Sequence, residues 1–201
     1  MNWNHPPTRR VLSQVSNLMI MDDHEIRDDW GSEEQDKVKG SVEYYIGKLA
    51  REVYWEYQRQ LIGDIDKPEE IFNKHEAYYH IIGDYGILFL DLRAARSFLA
   101  HEAGKSQYFR INSHLSGDKV FLTQPQWEDL TKWLVSENGA LASPKIKGLI
   151  CICSVPIVFL SKSMTDNLPK ITSKLSDMRD HWNYGNQFDE QIGILELIKK
   201  P

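Results

Sequence analysis

The stretch Leu18-Met19-Ile20-Met21-Asp22-Asp23-His24-Glu25-Ile26-Arg27-Asp28-Asp29-Trp30-Gly31 constrains this chain more than any other. Four apolar residues in a row read as a short buried strand. The chain then empties into a loop where eight residues, Asp22 to Asp29, carry five carboxylates and one imidazole. In an open α/β sheet, ligands bind beyond the carboxyl ends of strands, so a site is expected here. Carboxylate oxygens suit hard divalent cations, and a neighbouring imidazole adds a ligand, a phosphate donor or a proton-transfer group. Charge density alone favours the plainer reading, a solvated acidic turn.

The bulk properties narrow the class. A chain of 201 residues with 41% apolar residues and six Trp can build one globular domain with a sizeable core. A net charge of −5 without a basic block argues against a nucleic-acid surface. The longest apolar run, from Gly148 to Leu160, is interrupted by Ser154 and Pro156 and is too short to span a bilayer. No apolar signal core follows Met1, so a soluble, cytoplasmic protein is expected. Cys151 and Cys153 share one face of a strand and read as buried small hydrophobes without chemistry.

The pattern predicts an irregular N-terminus to Ser16, with Pro6 and Pro7 holding extended backbone, and an exposed polar stretch from Ser32 to Lys39. A helix is predicted over Ser41 to Leu61, where Val42, Tyr45, Ile46, Leu49, Val53 and Leu61 recur at helical spacing. Tyr44, Tyr54, Trp55 and Tyr57 make it unusually aromatic. Such a face packs on a sheet or meets a protein partner, and the first is the commoner arrangement. A turn at Asp64 to Pro68 leads into a short helix through Glu76. Strands Tyr78–Ile82 and Ile87–Leu92 form a hairpin about Gly83-Asp84-Tyr85-Gly86, the second strand being central. Asp91 and Arg93 fall on one face of that strand, where Arg93 can grip a phosphate or form a structural ion pair. A capping pattern at Thr123 to Gln126 opens a helix to Glu137 that buries Trp127, Leu130 and Leu134. A core strand within Ile146–Leu160, a loop over Met164–Met178 and a closing helix burying Ile192, Leu195 and Ile198 complete the reading.

Met21 to Gly31 closely resembles the Asp-Asp-His-Glu signature of alkaline phosphatase D-like metallophosphatases, members of the calcineurin-like metallophosphoesterase superfamily. Further along, Gly86 to Arg93 is similar to that family's glycine-led Leu-Asp-x-Arg segment. Ser154-Val155-Pro156 resembles its Ser-x-Pro, and Asp180-His181-Trp182 its Asp-x-Trp before a Glu-containing helix, here Glu190-Gln191. The resemblance implies an α/β fold, a mixed β-sandwich flanked by helices and present here only in part. It implies a phosphate ester substrate and two divalent or trivalent metal ions (Ca, Mn, Fe or Zn). Asp23, with Asp22, is the implied metal-binding pair, and His24 is the implied catalytic group at the phosphate. Asp22 and Glu25 are implied to orient His24 or to tune the metal shell, and Arg93 and Asp91 to stand close behind the substrate.

Two-metal phosphoesterases draw ligands from several strand ends. The 21 residues before Asp22 contain neither Gly nor Asp, so the family's upstream Gly-Asp motif has no counterpart there. Gly83-Asp84 lies downstream and takes no role. Ser116-Gly117-Asp118 is followed by Lys119 and Val120 where the family has Val-His, and takes none either. The expectation over residues 1–201 is a single partial domain of a metal-dependent phosphoric ester hydrolase, its activity alone left open. The alternative is a non-enzymatic interaction or regulatory module with the same fold and the helix 41–61 as contact face. A single structural Ca²⁺ at the acidic loop is a third reading, without the glycine spacing of an EF-hand.

Overall fold

Gly83 and Asp84 form a two-residue turn in which Gly83 takes a φ of +61°, the left-handed region that favours glycine. It joins β1 (Tyr78–Ile82) to β2 (Tyr85–Phe89) in an antiparallel ladder pairing Tyr79 with Leu88 and Ile82 with Tyr85. β3 (Gly148–Ile152) runs parallel to β2, with Cys151 opposite Leu88, so β2 is the central strand as its apolar run predicts. The computed structural model describes residues 4–31, 34–36, 38–59, 74–96, 121–136, 139–172, 178, 180–184 and 187–199. Among these, the mixed three-stranded sheet is accompanied by five α-helices: α1 (Pro6–Leu12), α2 (Val42–Tyr57), α3 (Gln124–Val135), α4 (Lys162–Ile171) and α5 (Gln187–Lys199). The fold is mixed α/β. A second sheet is not among the described residues.

The main core lies on one face of the sheet. Leu88 and Leu90, with Tyr79, Leu149 and Cys151 around them, pack against Leu130 and Leu134 of α3, Ile194 and Leu197 of α5, and Phe121 and Trp182. Each fully buried Leu or Ile contributes about 1.5–3 kcal/mol, so these helices are fixed firmly to the strands. Cys151 and Cys153 are free thiols set against this core. On the opposite face Tyr78 stacks on Phe89 with centroids 4.3 Å apart, while Ile82, Tyr85, Ile150 and Ile152 are exposed.

Several local expectations give way to specific competing bonds. Leu18 to Met21 is irregular and joins no ladder. The Met19 carbonyl accepts instead from the hydroxyls of Tyr54 (3.4 Å) and Tyr78 (2.5 Å), and Met21 alone of the four is fully buried. Pro6 and Pro7 start α1 rather than hold extended chain, since the first helical turn needs no N–H from them. The polar segment after Met164 is helical in α4, which the Ser161 hydroxyl caps by accepting from the Met164 amide. Thr165 is buried there and donates to the Asn183 carbonyl at 2.8 Å. β3 occupies five residues of the predicted Ile146–Leu160 run and ends before Ser154 and Pro156. α3 ends at Val135, and residues 74–76 are not helical. The turn and most of the short helix predicted from Asp64 onward lie outside the described residues. α5 is rotated from its apolar reading: Gln187, Glu190, Gln191, Ile194 and Leu197 face inward, and Ile192 is exposed. Its Glu190 carboxylate accepts from the amides of Phe121 (2.9 Å) and Leu122 (3.0 Å), so polar side chains are buried because they satisfy buried backbone.

α2 departs furthest. Ser41 caps it, its hydroxyl accepting from the Tyr44 amide at 3.0 Å, and the buried residues are Gly47, Arg51 and Tyr54. Arg51 donates to the wholly buried Glu76 carboxylate at 2.8 Å, and Trp55 Nε1 donates to the same oxygen at 2.6 Å. Gly47 lies where a Cβ would come within 2.6 Å of the Trp30 ring, so only glycine fits. The expected packing of the apolar stripe on the sheet is therefore reversed: Val42, Tyr45, Ile46, Leu49, Val53 and Tyr57 face outward, each 49–69% exposed. Removing Arg51 leaves the buried Glu76 carboxylate with only the longer Arg59 ion pair, at 3.5 Å, among the described residues. Arg51→Ala is expected to lower unfolding free energy by about 3–5 kcal/mol in urea denaturation, and Arg51→Met with Glu76→Leu to recover most of it.

Candidate metal and phosphate site

The acidic loop is shaped by its own carboxylates. Asp23 to Glu25 makes a single 3₁₀ turn, with the amides of Ile26 and Arg27 donating to the Asp23 carbonyl at 2.8 and 2.9 Å. The Asp22 amide donates to Glu25 Oε2 at 2.6 Å, and the Asp29 amide to Asp23 Oδ2 at 2.8 Å. Asp29 adopts a φ of 58°, a conformation that Asp tolerates better than most residues. At the loop's end Gly31 has a φ of +92°, and a Cβ there would come within 2.9 Å of the Arg93 carbonyl. The Gly31 amide donates to Asp36 Oδ2 at 2.8 Å, and Arg27 pairs with the other oxygen of Asp36.

Arg93 reaches this loop from the far end of β2. Its Nε donates to Asp22 Oδ1 at 2.9 Å, and one Nη lies 3.4 Å from Asp23 Oδ1. Its other Nη donates to Asp180, which also accepts from Arg96 at 2.6 Å. Asp91 supplies the aim. The strand ends at Phe89, so Asp91 and Arg93 do not share a strand face as predicted. Instead the buried Asp91 carboxylate accepts from the amides of Arg93 (2.9 Å), Ala94 (2.7 Å), Ala95 (3.2 Å) and Glu76 (2.8 Å), bending the chain so that Arg93 turns toward the loop. The Gln126 side-chain amide pairs with the Asp91 backbone at 3.0 and 2.9 Å and ties α3 to the same bend.

Burial pushes the Asp180 carboxyl up, but the guanidiniums of Arg96 and Arg93 outweigh it and hold Asp180 below the ordinary 3.8. Burial also pushes Asp23 up. Arg93 opposes this and Asp22 adds to it, and the balance leaves Asp23 above the usual carboxylate range. A cation at Asp23 would reverse that shift by favouring the charged form.

Asp23, His24 and Asp28 each offer one ligand atom, all within 4.8 Å of one another. His24 Nε2 lies 3.1 Å from Asp28 Oδ1, both side chains largely exposed. Asp22 and Glu25 face Arg93 and the loop backbone respectively, so the imidazole's neighbour is Asp28 rather than the two residues expected to orient it. Three donors suit a single divalent ion whose remaining positions are filled by water. They do not suit a two-metal centre, which needs several more, and no other donor joins the group among the described residues. Sequence reasoning missed Arg96, Asp36 and Gln126; the Arg93-Ala94-Ala95-Arg96 spacing was the visible sign of the first. Ser116 to Asp118 lie outside the described residues.

Because folding lowers the Asp180 pKa, its stabilisation is complete above the unfolded value of about 3.9 and is lost as pH falls through the depressed folded value. Asp180→Asn is expected to lower stability at neutral pH and to flatten the acid limb of the stability curve, read by chemical denaturation over a pH series. No protein-family model, curated protein or solved structure matches the chain.

Proposed function

We propose that the chain forms the central part of a metal-dependent phosphoric ester hydrolase of the alkaline phosphatase D-like kind, a metallophosphoesterase sandwich represented here by one of its sheets. The observation that supports this most is the reach of Arg93. Through it the Asp-Asp-His-Glu loop, the Leu-Asp-x-Arg segment and the Asp-x-Trp segment, separated by 71 and 87 residues, meet at one point. Three motifs read separately from the sequence converge on one corner, as a shared site requires.

The chemistry of that corner follows from its charges. A phosphate ester approaching His24 meets Asp22, Asp23 and Asp28, while Arg27 and Arg93 are already paired with carboxylates. Anion binding here therefore needs a cation, and Asp23, His24 and Asp28 are the residues that offer to hold one. The exposed imidazole beside Asp28 is placed either to ligate that ion or to pass a proton to a leaving group at the loop's surface. Arg93, enclosed by three carboxylates, holds Asp22 and Asp23 in place and does not itself reach a substrate.

The full chain is expected to hydrolyse p-nitrophenyl phosphate only with added Mn²⁺, Ca²⁺ or Zn²⁺, and to retain metal by mass spectrometry. His24→Ala is expected to cut turnover by about 10²–10⁴-fold. Absence of metal uptake and turnover with all three ions would overturn the assignment. The exposed stripe of α2 favours a second reading, in which the chain is an interaction module that keeps the fold without the activity.

A further inference from the structure

β3 ends at Ile152, and a cysteine stands on either side of that residue, Cys151 inside the strand and Cys153 just past it. Both are free thiols, partly exposed and set against the main core. Cys151 lies opposite Leu88, and residues two apart on extended chain share a face. The two thiols are hydrogen-bonded to each other. While protonated, Cys153 Sγ donates to the Val155 carbonyl at 3.1 Å. Trp182 Nε1 donates to the same oxygen at 3.3 Å, so loss of the Cys153 proton leaves that carbonyl bonded. The resulting thiolate accepts from the Cys151 thiol and the Ile157 amide. Hydrogen bonding from Cys151 holds Cys153 below the ordinary thiol range against its burial, and the same bond, with burial, pushes Cys151 up.

We infer that Cys151 and Cys153 form a two-thiolate site for one soft, thiophilic metal ion. Spacing decides between this and a disulfide. Two residues of extended chain span about 6.6 Å, and side chains on one face start about that far apart. A disulfide needs its Cβ atoms about 3.5–4.5 Å apart. Closing that gap would pull on the strand end, where the Ile152 carbonyl accepts from the Leu90 amide at 3.0 Å. A bridging ion makes no such demand, since two sulfurs each about 2.3 Å from it stand up to about 4.6 Å apart. The donor set selects the ion. Among the described residues no His, Asp or Glu joins the two sulfurs as a third ligand. Calcium takes six to eight oxygens and structural zinc four closed ligands, so neither suits the pair. Thiolates select soft ions such as Cu⁺. Binding releases both thiol protons to solvent as two sulfur–metal bonds form, with no change of oxidation state. β3 carries no further strand on its outer edge among the described residues, which leaves the ion a path in and out.

The thiol pair shares no residue with the acidic loop, so its test is independent of phosphate hydrolysis. The reduced full chain, titrated anaerobically with Cu⁺ against the chromogenic chelator bathocuproine disulfonate, is expected to take up one ion. Phenylarsine oxide, which condenses with two thiols and releases one water, is expected to add once by intact mass. Cys151→Ala and Cys153→Ala keep a small apolar group against the core. Each is expected to weaken Cu⁺ binding by about a hundredfold, the advantage of two linked ligands over one, with unchanged circular dichroism. Each is also expected to abolish the arsenical adduct. The adduct of the unsubstituted chain is read with and without urea, so the test stands without the variants. No Cu⁺ uptake, or uptake that survives Cys153→Ala, would overturn the proposal. So would an adduct formed only in urea, because the thiols would then serve the core alone. A Cys151–Cys153 disulfide formed in the folded chain by oxidised glutathione would overturn it as well.

Discussion

The guanidinium of Arg93 is the point on which the rest of the molecule depends. Three carboxylates from two distant parts of the chain bond to one buried cation, with Arg96 sharing the third. A buried charge costs several kcal/mol to desolvate, and only dense pairing of this kind offsets it. The pairing in turn needs Arg93 to be aimed, which is why Asp91 spends both oxygens on backbone amides. Charge therefore fixes position here, and the apolar core behind the sheet supplies the bulk of the stability.

The same division explains α2. Its inner face is a network of Arg51, Trp55 and Glu76, and its outer face carries the residues that a helical wheel assigns to a core. A hydrophobic stripe identifies a face that seeks burial but not what buries it. On this chain the Arg51–Glu76 pair and the fit of Gly47 to Trp30 decide the orientation, and both are tertiary facts.

How much was legible in the sequence follows this pattern. The hairpin at Gly83-Asp84, the central place of β2 and the burial of Leu130 and Leu134 could be read because turn chemistry and apolar period act locally. The acidic loop was legible as a cluster, since Asp23, His24 and Asp28 are near neighbours in the chain. The inward turn of Glu190 and Gln191 was not, because Glu190 accepts from amides about 70 residues away and Gln191 donates to the Ile157 carbonyl, 34 residues away. Nor was the irregular path of Leu18 to Met21, where two tyrosine hydroxyls replace a neighbouring strand. α4 escaped for a third reason: its composition is polar, and its cap alone marked it.

The Arg93 hub also dictates an order of events. Its partners lie 71 and 87 residues from it, so closing those loops costs chain entropy that nothing local repays. The parallel join of β2 to β3 spans a comparable length of chain. Contacts of this separation form late and slow the search for the native state. The contacts of Arg93 with Asp22 and Asp180 therefore form only as segments distant in the chain dock. A partly folded form would carry the local turn of the Asp-Asp-His-Glu loop without the guanidinium that anchors it, and that anchorage arrives with global folding rather than ahead of it.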